Sequence, residues 1–274
     1  MPKLTRFAAI TLLALLLTSS ATSATLAQTP SDAEKQRLDQ ALQDYSYQFS
    51  KYDECHNKYI TDRSAYISFQ TATAKNSAFI TTKDCLTKIY DVYVAYIRYI
   101  KEQGNVFNWN KKDEEKSQTF KTLDDEVTYF QDNQPNVGKL QTLEDTVPYA
   151  ADLKTHITKT TYPIVLKALA TYEVAESEAA LEIFVNLSEK IRSLVTSKIN
   201  QDQYTSFLAN WDTEIADIRS KSENYNGQAR QALSTFKPST NNTGNIGTVS
   251  SSTSKTKTEL LRSKTIFAEI LKLI

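Results

Sequence analysis

The sequence predicts an all-α protein: an elongated antiparallel helical bundle built of coiled-coil hairpins, with a flexibly tethered C-terminal amphipathic helix. Three observations carry that expectation. Apolar and aromatic residues recur at alternating spacings of four and three over long stretches. That pattern lays a nearly straight seam along a helix, because about 3.5 residues return to the same face of a coiled coil. Only five glycines and six prolines punctuate 274 residues, too few breakers for a compact sheet protein. The two cysteines, Cys55 and Cys85, flank two such seams.

The first seam is Leu38, Leu42, Tyr45, Phe49, Tyr52, His56, Tyr59, Arg63 and Tyr66; the second is Phe79, Thr82, Leu86, Ile89, Tyr93, Tyr96 and Ile100. In one straight helix the cysteines would stand about 45 Å apart, whereas a disulfide needs their Cα atoms within about 7 Å. A Cys55–Cys85 disulfide therefore requires the chain to reverse near Gln70, giving a stapled hairpin over 31–103. Ser31 and Glu34 form a capping box at its start. Gly104 is the expected stop of the second helix. Nine of the fifteen tyrosines fall between Tyr45 and Tyr99. They are read as broad buried area with hydroxyls reaching solvent at the edge of a thin helical pair; the competing reading is an aromatic strip that binds glycan or peptide.

Further along, Phe120, Leu123, Val127 and Phe130 mark a short third helix, broken by QDNQPNVG at 131–138. Leu140, Leu143 and Val147 resume a helical face that Leu153 and Ile157 extend, and Pro163 either kinks that helix or opens the next. Residues 164–199 form a helix with a stripe wide enough to be covered on more than one side. NQDQ at 200–203 separates it from a second four-three run, Tyr204 to Phe236, which passes through Gly227 and stops before Pro238. The bundle domain thus spans 28–237. Residues 238–258, rich in Ser, Thr, Asn and Gly, are read as a flexible linker because they show no repeated apolar face. Residues 259–274 regain an amphipathic pattern, with Leu260, Phe267, Ile270, Leu271 and Ile274 as a face that docks to a partner, to a membrane surface or back to the chain's own bundle.

The N-terminus has the order of a secretory signal peptide: Lys3 and Arg6, an apolar core from Phe7 to Leu17, then small residues. Eleven residues are too few to span a bilayer. The expected signal peptide is 1–27, cut after Ala27, with Ala24 as the second choice and an uncleaved signal anchor as the alternative. Its removal leaves 30 basic and 32 acidic groups, a formal charge of −2, which gives no electrostatic reason to bind nucleic acid. Two cysteines in an exported chain favour one structural disulfide.

No residue is nominated as catalytic. His56 and Asp53 share a helical face but have no second histidine nearby, and His156 is expected to form a surface ion pair with Asp152 one turn away. The acidic clusters at 113–115 and 124–126 lack the spacing of a calcium loop. The chain carries no HExxH, GxSxG or glycine-rich phosphate loop. No metal or cofactor is expected. The leading function is a non-enzymatic exported helical scaffold or protein-interaction module of the cell envelope or extracellular space, with a protein partner or self-association and peripheral membrane contact through the C-terminal helix. A secreted helical enzyme or ligand-binding protein, and a helical membrane-active protein, are the alternatives.

Overall fold

A computed structural model describes residues 30–109, 112–198, 201–237 and 243–271. Among these residues the chain is an all-α helical bundle without strands. The helices are α1 (Asp32–Phe69), α2 (Ala72–Val106), α3 (Asp113–Asn133), α4 (Leu143–His156), α5 (Tyr162–Lys198), α6 (Gln201–Ser234) and α7 (Thr243–Leu271). A 3₁₀ segment, Gln134–Lys139, joins α3 to α4, and a π-helical turn, Ile157–Thr161, joins α4 to α5. The expected signal peptide lies outside the described residues.

The first hairpin forms as the cysteine arithmetic requires. Ser31 and Glu34 close a reciprocal capping box at the start of α1. The reversal needs neither glycine nor proline: Gln70 takes the left-handed conformation at φ 51° and ψ 24°, its N–H bonding to the Tyr66 carbonyl. Thr71 then caps α2 by accepting from the Ala74 N–H. The Cys55 and Cys85 Cα atoms stand 5.5 Å apart with their sulfurs joined.

Gly104 does not end α2, contrary to the sequence expectation; the helix continues to Val106. Gly104 is buried and serves close approach instead, because a Cβ there would stand 2.5 Å from Cζ of Tyr172. Its carbonyl accepts a 2.7 Å bond from Nε1 of the buried Trp109. The first core gathers around this end of α2: Leu86, Tyr90, Ile97 and Ile100 meet Leu123 and Phe130 of α3, Leu153 of α4, and Val165 and Tyr172 of α5.

The π-turn has an identifiable cause. Pro163 supplies no N–H, and its ring crowds the carbonyl four residues earlier, so the coil widens by one residue. Tyr162 accordingly bonds back to the Ile157 carbonyl.

A second core is built from Phe184, Ile191 and Val195 of α5, Leu208, Trp211, Ile215 and Ile218 of α6, and Leu260, Phe267 and Ile270 of α7. This corrects the expectation of a flexible linker. Residues 238–242 lie outside the described set, but 243–258 are helical and continuous with the amphipathic segment. The reason is small-residue packing. Val249, Ser252 and Thr256 are buried at helical spacing ahead of Leu260 and Ser263. Val249 nests against Ala170, Val174, Ala229 and Ala232. Hydroxyls normally resist burial, but Thr256 donates to Oδ1 of Asn226 at 3.0 Å and Ser263 to the Leu260 carbonyl at 2.6 Å. Those bonds offset the desolvation that would otherwise exclude them.

Candidate interaction surface

Among the described residues, helix α1 makes its substantial contacts with α2 alone. Its sequence seam separates into two adjoining stripes. The inner one runs Tyr45, Gln48, Tyr52, Cys55, Tyr59, Asp62 and Tyr66. Tyr45 meets the rings of Tyr96 and Tyr99 at 5.3 and 6.2 Å, Cys55 reaches Cys85, and Asp62 accepts from the Thr81 hydroxyl. Advancing each of Gln48, Tyr52, Cys55, Tyr59, Asp62 and Tyr66 by one residue turns about 100° around the helix. The resulting outer stripe is Phe49, Asp53, His56, Ile60, Arg63 and Ile67.

Among the described residues, nothing covers most of that outer stripe. Ile60 is 49% and Ile67 57% exposed, and Phe69 at the hairpin tip is 73% exposed. Asp53 and Arg63 are exposed, and neither forms an ion pair among the described residues. His56 is half-buried between the rings of Tyr52 and Tyr59, with centroids at 5.7 and 6.2 Å and planes inclined by 28° to each. Phe49 joins the same ladder through Tyr45 and Tyr52. The rings make a stiff ridge along the helix, since each shields its neighbour from water.

The tyrosines of α2 behave differently. Burial beside Tyr45 and Tyr52 pushes the Tyr93 hydroxyl up to about 12, and burial raises Tyr90 and Tyr96 further still. Tyr90 and Tyr149 share a 2.7 Å hydrogen bond. These are core residues with satisfied or shielded hydroxyls.

On the other face of the hairpin, a shallow groove of roughly 800 Å³ runs between α1 and α3 over α2. Its polar groups are largely committed to one another: Lys101 to Asp124 at 2.7 Å, Gln134 to Asp91 at 2.6 Å, and Gln40 to Asp44 at 2.9 Å. Such mutual pairing holds helices together and leaves few groups aimed at a ligand.

Two polar clusters lie deeper. Glu126 is buried, and its Oε1 receives the Thr161 hydroxyl at 2.5 Å and Nε2 of His156 at 2.8 Å. The ring of Tyr129 lies 3.5 Å from that of His156. His156 therefore pairs across to α3, not along its own helix to Asp152 as the sequence suggested. The signal for Glu126 was its place among Leu123, Val127 and Phe130 on an apolar face. The second cluster ties α3, α5 and α6: Arg230 donates to Glu178 at 2.5 and 2.7 Å and to Glu115 at 2.5 and 3.0 Å, with Lys112 also on Glu178. Burial and the Arg230 charge lower the Lys112 ammonium. Both clusters join separate helices.

Among the described residues no three His, Cys, Asp or Glu side chains converge on a metal position, and no helix is long and apolar enough to cross a membrane. The docking face assigned to the C-terminal helix is occupied within the chain. Leu260 and Ile270 are buried, and Phe267 packs on Phe184 at 5.8 Å and Trp211 at 6.4 Å. The side chains of Leu271 and Ile274 lie outside the described set. Exposed large apolar side chains lie on α1 at Leu42, Tyr47, Ile60, Ile67 and Phe69, and elsewhere at Ile80, Val147, Tyr162, Leu194 and Leu261. No protein-family model, curated protein or solved structure matches the chain.

Proposed function

We propose that this protein is a non-enzymatic, exported helical scaffold that works as a protein-interaction module in the cell envelope or extracellular space. The carrying observation is the outer stripe of α1, which presents Ile60 and Ile67 to solvent on a helix whose adjoining stripe is anchored to α2. A two-helix arm has little core of its own, and apolar residues kept exposed along one ridge mark an interaction face. Export agrees with the leader and with a cysteine pair set 5.5 Å apart, since disulfides persist in oxidising compartments. The C-terminal helix packs Leu260, Phe267 and Ile270 into the second core, so α1 rather than α7 is the surface proposed for an outside partner.

A photo-crosslinking residue placed at Ser64, between Ile60 and Ile67, tests the reading in the cells that make the protein. Specific higher-mass adducts that vanish when Ile60 and Ile67 are changed to Ser are expected. Absence of any such adduct, in protein recovered folded, would remove the interaction role.

A further inference from the structure

We infer that the outer stripe of α1 pairs antiparallel with the same stripe of a second copy of this chain. The inference rests on the interaction reading above and names its partner. The stripe Phe49, Asp53, His56, Ile60, Arg63, Ile67 has spacings of four, three, four, three and four, a series that reads the same in both directions. A two-fold axis at the level of Asn57–Tyr59 therefore sets Phe49 against Ile67 of the second copy, Asp53 against Arg63, and His56 against Ile60. Each pairing occurs twice. Apolar meets apolar, acid meets base, and the flat imidazole, already stacked on Tyr52 and Tyr59, meets an isoleucine.

Charge decides between a second copy and other occupants. Asp53 and Arg63 are opposite in sign, ten residues apart on one stripe, exposed, and outside every ion pair among the described residues. A one-signed partner would satisfy one of them and repel the other. The chain itself supplies both signs in the required order. An isologous contact demands this self-complementarity, and opposed charges at facing coiled-coil positions set antiparallel orientation and register. The stripe spans about 27 Å, long enough for five turns of helix to lie side by side. Because α2 backs α1 throughout this span and the cysteine pair lies within it, the paired arms form a four-helix unit.

Sedimentation equilibrium on the mature protein, with Asp53→Arg, Arg63→Asp and the double exchange, tests the pairing. Both substituted sites are exposed, so helicity and thermal stability should be unchanged. The parent should dimerise reversibly. Either single reversal puts like charges at both symmetric contacts and should weaken dimerisation by at least about tenfold, while the double exchange should return it to within about threefold. A monomer at every concentration overturns the inference, as does a dimer indifferent to the single reversals. If the parent is monomeric while the Ser64 crosslinker still captures a different protein through Ile60 and Ile67, the scaffold reading stands and self-pairing alone falls.

Discussion

Gly104 and Gly227 both sit inside helices, and the same replacement by alanine should move stability in opposite directions. Alanine is favoured over glycine by about 1 kcal/mol in a helix interior, because glycine loses more backbone freedom on folding. At Gly227 nothing lies within 4 Å of the added Cβ. Gly227→Ala should therefore stabilise by about 0.5–1 kcal/mol. At Gly104 the new Cβ would stand 2.5 Å from Cζ and 2.6 Å from Oη of Tyr172, and 2.7 Å from Cε1 of Phe120. Tyr172 cannot easily retreat: it is fully buried, with the Phe107 ring at 5.6 Å and the Trp109 ring at 5.5 Å. Overpacking a core by one methyl costs about 1–3 kcal/mol, which exceeds what helix propensity returns near a helix end. Gly104→Ala should lose about 1–2 kcal/mol net. Urea denaturation followed by circular dichroism measures both variants against the parent. A Gly104→Ala protein as stable as the parent would show that Tyr172 does not rest on that backbone, and would break the account of why α2 runs past its glycine.

Three further outcomes are expected. Replacing Cys55 and Cys85 together by serine should keep the helical content but lower unfolding stability by roughly 3–4 kcal/mol, from the thirty-residue loop closure; a denaturation midpoint insensitive to reductant in the parent would refute it. A chain ending at Lys237 should expose Phe184 and Trp211, making α6 protease-sensitive while α2 to α4 stay protected, and equal protection of α6 would refute docking of α7 within the chain. Burial raises the carboxyl pKa of both Glu173 and Glu176, with a hydrogen bond from Thr253 opposing the shift at Glu173 and the Lys257 charge opposing it at Glu176. A raised acid binds more protons folded than unfolded, so its contribution falls as pH rises from about 4.3 through the folded pKa. The Glu173→Gln/Glu176→Gln variant should thus gain on the parent more at about pH 7 than at about pH 4, and a pH-independent difference would contradict the burial of these carboxyls.

The sequence carried most of the hairpin. The reversal at Gln70 has no glycine or proline to announce it, yet two cysteines on separate seams required it. The long helices were legible because bulky side chains repeat at fixed spacing. What escaped was burial by small hydroxyl residues. Val249, Ser252 and Thr256 occupy helix-spaced positions, but serine and threonine count as polar until their partners, Asn226 and backbone carbonyls, are in view. Glu126 escaped for the converse reason, since its partners His156 and Thr161 lie thirty and thirty-five residues away. The seam of α1 was legible as periodic but not as two stripes. Periodicity records that a helix has faces and says little about which neighbour each face meets.

Helix α5 belongs to both cores: Val165, Ala168, Tyr172 and Ala175 serve the first, and Phe184, Ile191 and Val195 the second. It therefore works as a drive shaft with a fixed angular phase. One residue inserted between Ala175 and Phe184 would twist one end against the other by about 100° and lengthen the shaft by about 1.5 Å. Seven inserted residues nearly restore the phase, with a drift of about 20°, but they push the ends about 10 Å apart. The Glu115–Arg230–Glu178 clasp spans from α3 across α5 to α6 and has no slack to follow. Insertions should therefore be tolerated in the connections between helices, and the middle of α5 should tolerate changes of residue far better than changes of count.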